Sequence, residues 1–121
     1  MVEKFIERRK APRVKAQIAA RLRDSEFEIT TCANEISASG VYAQINKKIE
    51  PMTKLELTFM LPIKGKAKTT TKRIKTKGIA VRVEPAPNPD NPNNHNVAIL
   101  FSDISARDKE TITRFINSSN P

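Results

Sequence analysis

Six stretches of this chain alternate apolar and polar residues with a period of two, and this restricts the fold more than any other feature. Val14, Ala16, Ile18, Ala20 and Leu22 share one side of the first stretch, and Lys15, Gln17, Ala19, Arg21 and Arg23 share the other. Successive side chains of an extended strand point to opposite faces, so the pattern is that of a strand with one buried face. Asp24-Ser25 then supplies a turn. Beyond it Phe27, Ile29, Thr31 and Ala33 alternate with Glu26, Glu28, Thr30 and Cys32. So short a link predicts an antiparallel hairpin.

The same logic places a third strand at Val41, Ala43 and Ile45. A fourth runs through Leu55, Leu57, Phe59 and Leu61, and Pro62 is expected to end it. The fifth carries Ile79, Val81 and Val83, the sixth Val97, Ile99 and Phe101. Ile74 has the opposite parity to the fifth set, which predicts a bulge near Gly78. Asn46 to Thr53 reads as a loop. So does Pro85 to Asn96, whose proline content argues against a packed role. Ser105 followed by Asp108 forms a helix start, and Ile112, Phe115 and Ile116 then share one helical face. Asn117 to Pro121 is expected to fray. The chain is thus read as all-β, a small antiparallel barrel or sandwich of six strands. One C-terminal α-helix covers an open end or side.

A chain of 121 residues is long enough for one domain with a modest core. Its formal net charge is +9, so nucleic acid, nucleotide and anionic membrane all fit as partners. Residues 64–77 carry six lysines, one arginine and no acid. They read as a long basic hairpin or the start of the fifth strand, solvated or acting as a docking patch. The single cysteine, Cys32, allows no internal disulfide, and a free thiol without an export signal predicts a cytoplasmic location. No apolar run approaches the ~20 residues that span a bilayer. An enzyme is not expected. His95 is the only histidine and falls in the Pro/Asn loop, Cys32 has no histidine nearby to activate it and reads as structural, and no cluster has metal-ligand spacing.

Two short stretches carry chemistry. Glu7-Arg8-Arg9-Lys10-Ala11-Pro12-Arg13 places four basic residues in six positions, just before the first strand. Pro12 biases Ala11 toward an extended conformation, so the segment reads as a basic, mobile arm rather than a helix. Its planar guanidinium groups suit bidentate contact with phosphate or a guanine edge. The second stretch is Glu35-Ile36-Ser37-Ala38-Ser39-Gly40. Its carboxylate can accept from the donors of a guanine edge and its hydroxyl can donate to a phosphate or carbonyl oxygen. Its glycine permits positive φ and the close approach of a ligand. Read alone, each stretch is equally a solvated tail or an ordinary turn.

Together, an arginine-rich arm entering a first strand and an acid-x-Ser-x-x-Gly turn about twenty residues later resemble the PilZ domain family. The resemblance runs from Glu7 to about Ile116 and includes Gly78-Ile79-Ala80-Val81-Arg82-Val83-Glu84 and Val97-Ala98-Ile99-Leu100-Phe101 as closing strands. It implies a six-stranded antiparallel β-barrel with a C-terminal helix. Residues 1–13 would be a flexible ligand-binding arm and residues 14–121 the barrel. The implied ligand is cyclic di-GMP, with no other cofactor. Arg9 and Arg13 fill the family's Arg-x-x-x-Arg motif, and would bind phosphates and guanine. Arg8 matches an additional arginine that tends to accompany an intercalated ligand dimer. Ser37 and Gly40 fill the second motif, and Glu35 stands where Asp or Asn is usual. Asn34 has the usual residue type one position early and is expected on the opposite face. The implied function is a stand-alone receptor or adaptor in which the ligand orders the arm to make a surface for an effector protein.

Two rivals remain from other classes. A PilZ-like module that only docks proteins is favoured by Glu35. A small barrel binding nucleic acid is favoured by the charge and opposed by the scarcity of exposed aromatic residues for base stacking.

Overall fold

The computed structural model describes residues 13–119, and their side chains over 18–118. The arm, with Arg8 and Arg9, therefore lies outside the described residues, as does the side chain of Arg13. The elements run β1 (Arg13–Arg23), β2 (Glu28–Ser37), β3 (Gly40–Ile45), β4 (Lys54–Lys64), β5 (Thr69–Pro85), β6 (His95–Asp103) and α1 (Ala106–Ser119). The strands close into an antiparallel barrel in the order β1-β2-β3-β6-β5-β4. Since every neighbour is antiparallel, Arg13, Ser37, Gly40 and Asp103 lie toward one end of the barrel, and the β4–β5 hairpin runs on past that end to Lys64 and Thr69, because Asp103 pairs with Lys77.

Period two explains the core. Ile18, Leu22, Leu55, Leu57, Phe59, Leu61, Val97 and Ile99 are each buried to 2% exposure or less. Phe59 and Phe101 stack within the barrel with ring centroids 5.9 Å apart. Helix α1 starts on its expected cap, with the Asp108 amide donating to Ser105 Oγ at 3.1 Å. It buries Ile112, Phe115 and Ile116 against β1, β2 and β4. Pairing of β1 with β4 stops at Ala20 and Phe59, so the helix packs where these two strands part.

Several expectations are corrected. Pro62 does not end β4. It lies opposite Thr71 in a stretch where β4 pairs only with β5, so a proline there removes no hydrogen bond on the β1 side. Segment 64–77 is both things foreseen for it, the turn of a hairpin and the first half of a 17-residue β5. Near Gly78 there is a register shift against β6, but Ile74, Thr76, Gly78 and Ala80 remain buried on one parity. The inward face changes only at a second shift, between Ala80 and Arg82. Val81 is the extra residue and is 40% exposed. The loop after Pro85 is packed at its base, where Asn94 is buried and donates to the Ala86 carbonyl at 3.0 Å. His95 begins β6 rather than sitting in a loop, and α1 continues to Ser119. Cys32 is exposed, so it has no packing role in the core.

Candidate functional site

The groove is set up by bulges. Along β2, Ile29, Thr31 and Ala33 face inward, and strict alternation would carry Glu35 and Ser37 inward after them. Instead the register against β3 slips between Ala33 and Glu35, leaving Asn34 without a counterpart. Ile36 then takes the core position at 1% exposure, and Glu35 and Ser37 fall on the outer face, Glu35 half-buried and Ser37 buried at 9% exposure. This is the favourable solution, since a carboxylate facing the core would lose its hydration. Bulges commonly re-aim side chains in this way. The apolar pair Ala33 and Ile36, three residues apart, is the sequence signal for it.

Glu35, Ser37, Ser39, Tyr42, Val81 and Leu100 line a groove of about 140 Å³ on the outside of β2, β3, β6 and β5. Gly40 and Ala98 supply its floor, because Tyr42 lies opposite Ala98 and Gly40 opposite Leu100. One wall is polar, from Glu35 and Ser37. The other is apolar, from Val81 and a Leu100 that is 49% exposed. Such a pair of walls suits a flat ring with hydrogen-bond donors on one edge. Asn34 does not line the groove.

Ser37 and Gly40 also have folding duties. The Ser39 amide donates to Ser37 Oγ at 3.1 Å, which fixes the turn through its own hydroxyl. The Phe101 amide donates to the Ser39 carbonyl at 2.9 Å and ties the turn to β6. Gly40 does not use positive φ; among the described residues no glycine does. Its need is steric. A Cβ there would stand 2.2 Å from the Ile99 carbonyl oxygen. The glycine is thus required by the approach of β6.

Arg13 is the first residue of β1 and the backbone partner of Ser37. Partners across antiparallel strands lie about 5 Å apart at Cα. The register therefore joins the two stretches singled out in the sequence at one end of the barrel. Arg8 and Arg9 precede this point outside the described residues.

A second, larger groove of about 360 Å³ lies elsewhere, around Arg21, Arg23, Glu28, Glu56, Lys75 and Lys77. Its charges are largely satisfied. Arg23 is hydrogen-bonded to Glu56, and Arg21 Nε lies 3.1 Å from Glu28. The hydrogen bond and charge of Arg23, aided by Lys77 and Lys75, hold the Glu56 carboxyl below its ordinary range, and Glu56 raises Arg23 in turn. Among the described residues no group of three or more His, Cys, Asp or Glu could hold a metal ion. None of the described helices is long and apolar enough to cross a membrane.

Comparisons with known proteins agree with this fold. The profile of the PilZ domain family matches residues 7–118. The Bacillus subtilis inhibitor of motility, MotI/DgrA, superposes with a TM-score of 0.76 at 21% identity, over 92% of this chain and 50% of that one. This chain thus spans half the length of that protein. The PilZ domain of Escherichia coli YcgR, solved with c-di-GMP, superposes with a TM-score of 0.63 at 12% identity, over 92% of this chain and 90% of that one. Among curated protein sequences no relative matches.

Proposed function

The chain belongs to the PilZ domain family, and from that membership we propose that it is a cyclic di-GMP receptor or adaptor rather than an enzyme. The observation that supports this reading is the backbone pairing of Arg13, the last residue of the Arg-x-x-x-Arg motif, with Ser37, which lines the Glu35–Gly40 groove. In the proposed complex Arg9 and Arg13 hold phosphates and guanine edges, with Arg8 available to a second ligand. Glu35 accepts from the guanine edge, Ser37 donates to a phosphate or carbonyl oxygen, and Leu100 and Val81 support the ring.

The ligand's two negative charges offset the mutual repulsion of Arg8, Arg9, Lys10 and Arg13. Fixing the arm costs ~1–2 kcal/mol per residue in backbone entropy, and charge-assisted hydrogen bonds of ~1.5–3 kcal/mol each compensate. The arm and ligand together then form a new surface for an effector protein in the cytoplasm. YcgR, whose PilZ domain was solved with c-di-GMP, supports the ligand, and MotI/DgrA, an inhibitor of motility, supports an adaptor role.

Calorimetric titration with cyclic di-GMP, with GTP and a short single-stranded RNA as controls, tests the reading. The expected result is a micromolar or tighter dissociation constant, lost in Arg9→Ala. The molar ratio reports one ligand or two. No heat from the folded protein would leave the protein-docking module as the better account.

A further inference from the structure

The β4–β5 hairpin carries charge that neither the fold nor the proposed ligand site uses. Residues 64–77 contribute seven of the chain's positive charges and no negative one. Every residue from Lys64 to Arg73 is exposed. The strands pair only with each other from Met60↔Arg73 to Lys64↔Thr69, beyond the reach of β1 and β6. None of Lys64, Lys66, Lys68, Lys72 or Arg73 joins an ion pair among the described residues. Like charges so close within a Debye length of about 8–10 Å repel one another, so the cluster costs stability in the free protein.

We infer that this hairpin docks the protein on an anionic lipid surface. Three observations select that partner. First, six of the seven cations are lysines. Ammonium groups act as point charges and favour diffuse attraction over the bidentate recognition of arginine. Cores of protein interfaces are depleted in lysine and rich in aromatic residues, and the part of the hairpin from Met60 to Arg73 has no aromatic. Second, the exposed cations Lys64, Lys66, Lys68, Lys72 and Arg73 gather at the free end of the ribbon, clear of β1 and β6, so a flat anionic surface meets them before it meets the barrel. Third, Met60 and Pro62 are exposed on the outer face of the ribbon beside Arg73 and Thr71. A membrane interface gives apolar side chains a place to go, and a phosphate backbone does not.

The hairpin turn points toward the end of the barrel at which β1 begins and β2 ends. The test is co-sedimentation of the full chain with vesicles of phosphatidylglycerol and phosphatidylcholine, against phosphatidylcholine alone, at low and high salt. A short DNA duplex serves as competitor. The expected result is binding to the anionic vesicles only, abolished by high salt. Changing Lys64, Lys66, Lys68 and Lys72 to Gln together should weaken it on the order of a hundredfold or more, with cyclic di-GMP binding unchanged. If that variant fails to fold, Lys66→Gln with Lys68→Gln in the turn carries the same test. Equal binding to both vesicle types, or binding unmoved by the substitutions, overturns the inference. Displacement from the vesicles by the duplex would identify a nucleic acid as the partner instead.

Discussion

The Ser37–Gly40 turn and the Gly65–Lys68 turn lie at the same end of one barrel, contain a glycine each, and are built in opposite ways. The first is locked into its neighbours. Its carbonyl at Ser39 takes the Phe101 amide, and its glycine stands against the β6 backbone, with a Cβ placed 2.2 Å from the Ile99 oxygen. The second is closed only on itself. Gly65 donates to the Lys68 carbonyl at 2.8 Å, and a Cβ at Gly65 would meet that same carbonyl at 2.9 Å. One region is defined by the placement of a few groups, the other by the quantity of charge. A substitution should therefore matter in the first by geometry and in the second by charge count.

The sharpest way to break this contrast is at the glycines. Gly40→Ala pushes a methyl into the backbone of β6, and should cost about 3 kcal/mol, at the upper end of overpacking penalties. Gly65→Ala strains a turn open to solvent and should cost under about 1 kcal/mol. Urea denaturation measures both, and equal costs would mean that the two turns are not differently built. The next contrast is in ligand binding. Leu100→Asp removes half of the apolar wall at an exposed site, so stability should stay within about 0.5 kcal/mol. Affinity for cyclic di-GMP should fall about tenfold, or ~1.4 kcal/mol. Lys68→Gln should leave affinity unaltered. At Glu35, Ala should weaken binding, whereas Asp, the shorter acid usual at this position, should tighten it several-fold. A Glu35→Asp variant that binds less well would mean that the groove is fitted to the longer side chain.

The fold was legible because period two is a strong signal wherever one face is buried. Leu55, Leu57, Phe59 and Leu61 announce β4, and all are in the core. What alternation could not place were the residues where it breaks. Extending the parity of Ile29 to Ala33 puts Glu35 and Ser37 on the wrong face; only the spacing of Ala33 and Ile36 betrays the bulge at Asn34. In β5 the apolar Ile79 and Val81 look like core, yet small Gly78 and Ala80 take the inward positions because β6 and β4 crowd there. A Cβ on Gly78 would meet Ile99 Cγ2 at 2.7 Å and Leu57 Cδ1 at 3.0 Å. Both breaks in alternation border the groove. The motif residues were singled out by type and order, and the Leu100 and Val81 wall was missed because an outward apolar residue has no periodic signature.

Charge in the hairpin sets a weaker but more distributed effect. Screening relieves repulsion between exposed cations, so the melting temperature of the wild type should rise with moderate salt. Replacing Lys64, Lys66, Lys68 and Lys72 by Gln should flatten that dependence and raise the melting temperature at low salt. An unchanged salt response would show that the lysines are too far apart to interact.

The smallest effect belongs where the two kinds of region meet. Glu56 faces Lys77 across β4 and β5 and is bonded to Arg23 of β1. Its carboxyl is held low in the folded chain, chiefly by that hydrogen bond and then by the charge of Arg23. A depressed carboxyl contributes stability above its unfolded value, ordinarily about 4.3, and loses it as pH falls through the folded value. Arg23, raised by the same partner, stays charged throughout. Glu56→Gln should therefore be slightly less stable than the wild type near neutral pH, and the gap should close as pH falls below about 4.3. Thermal melts of the two proteins between neutral and acidic pH measure it. Both groups are exposed, so salt should shrink the neutral-pH gap. A gap that persists in acid would mean that Glu56 acts through packing of its stem against β1 and β5, and that the outer charges of the barrel are as finely placed as those of the groove.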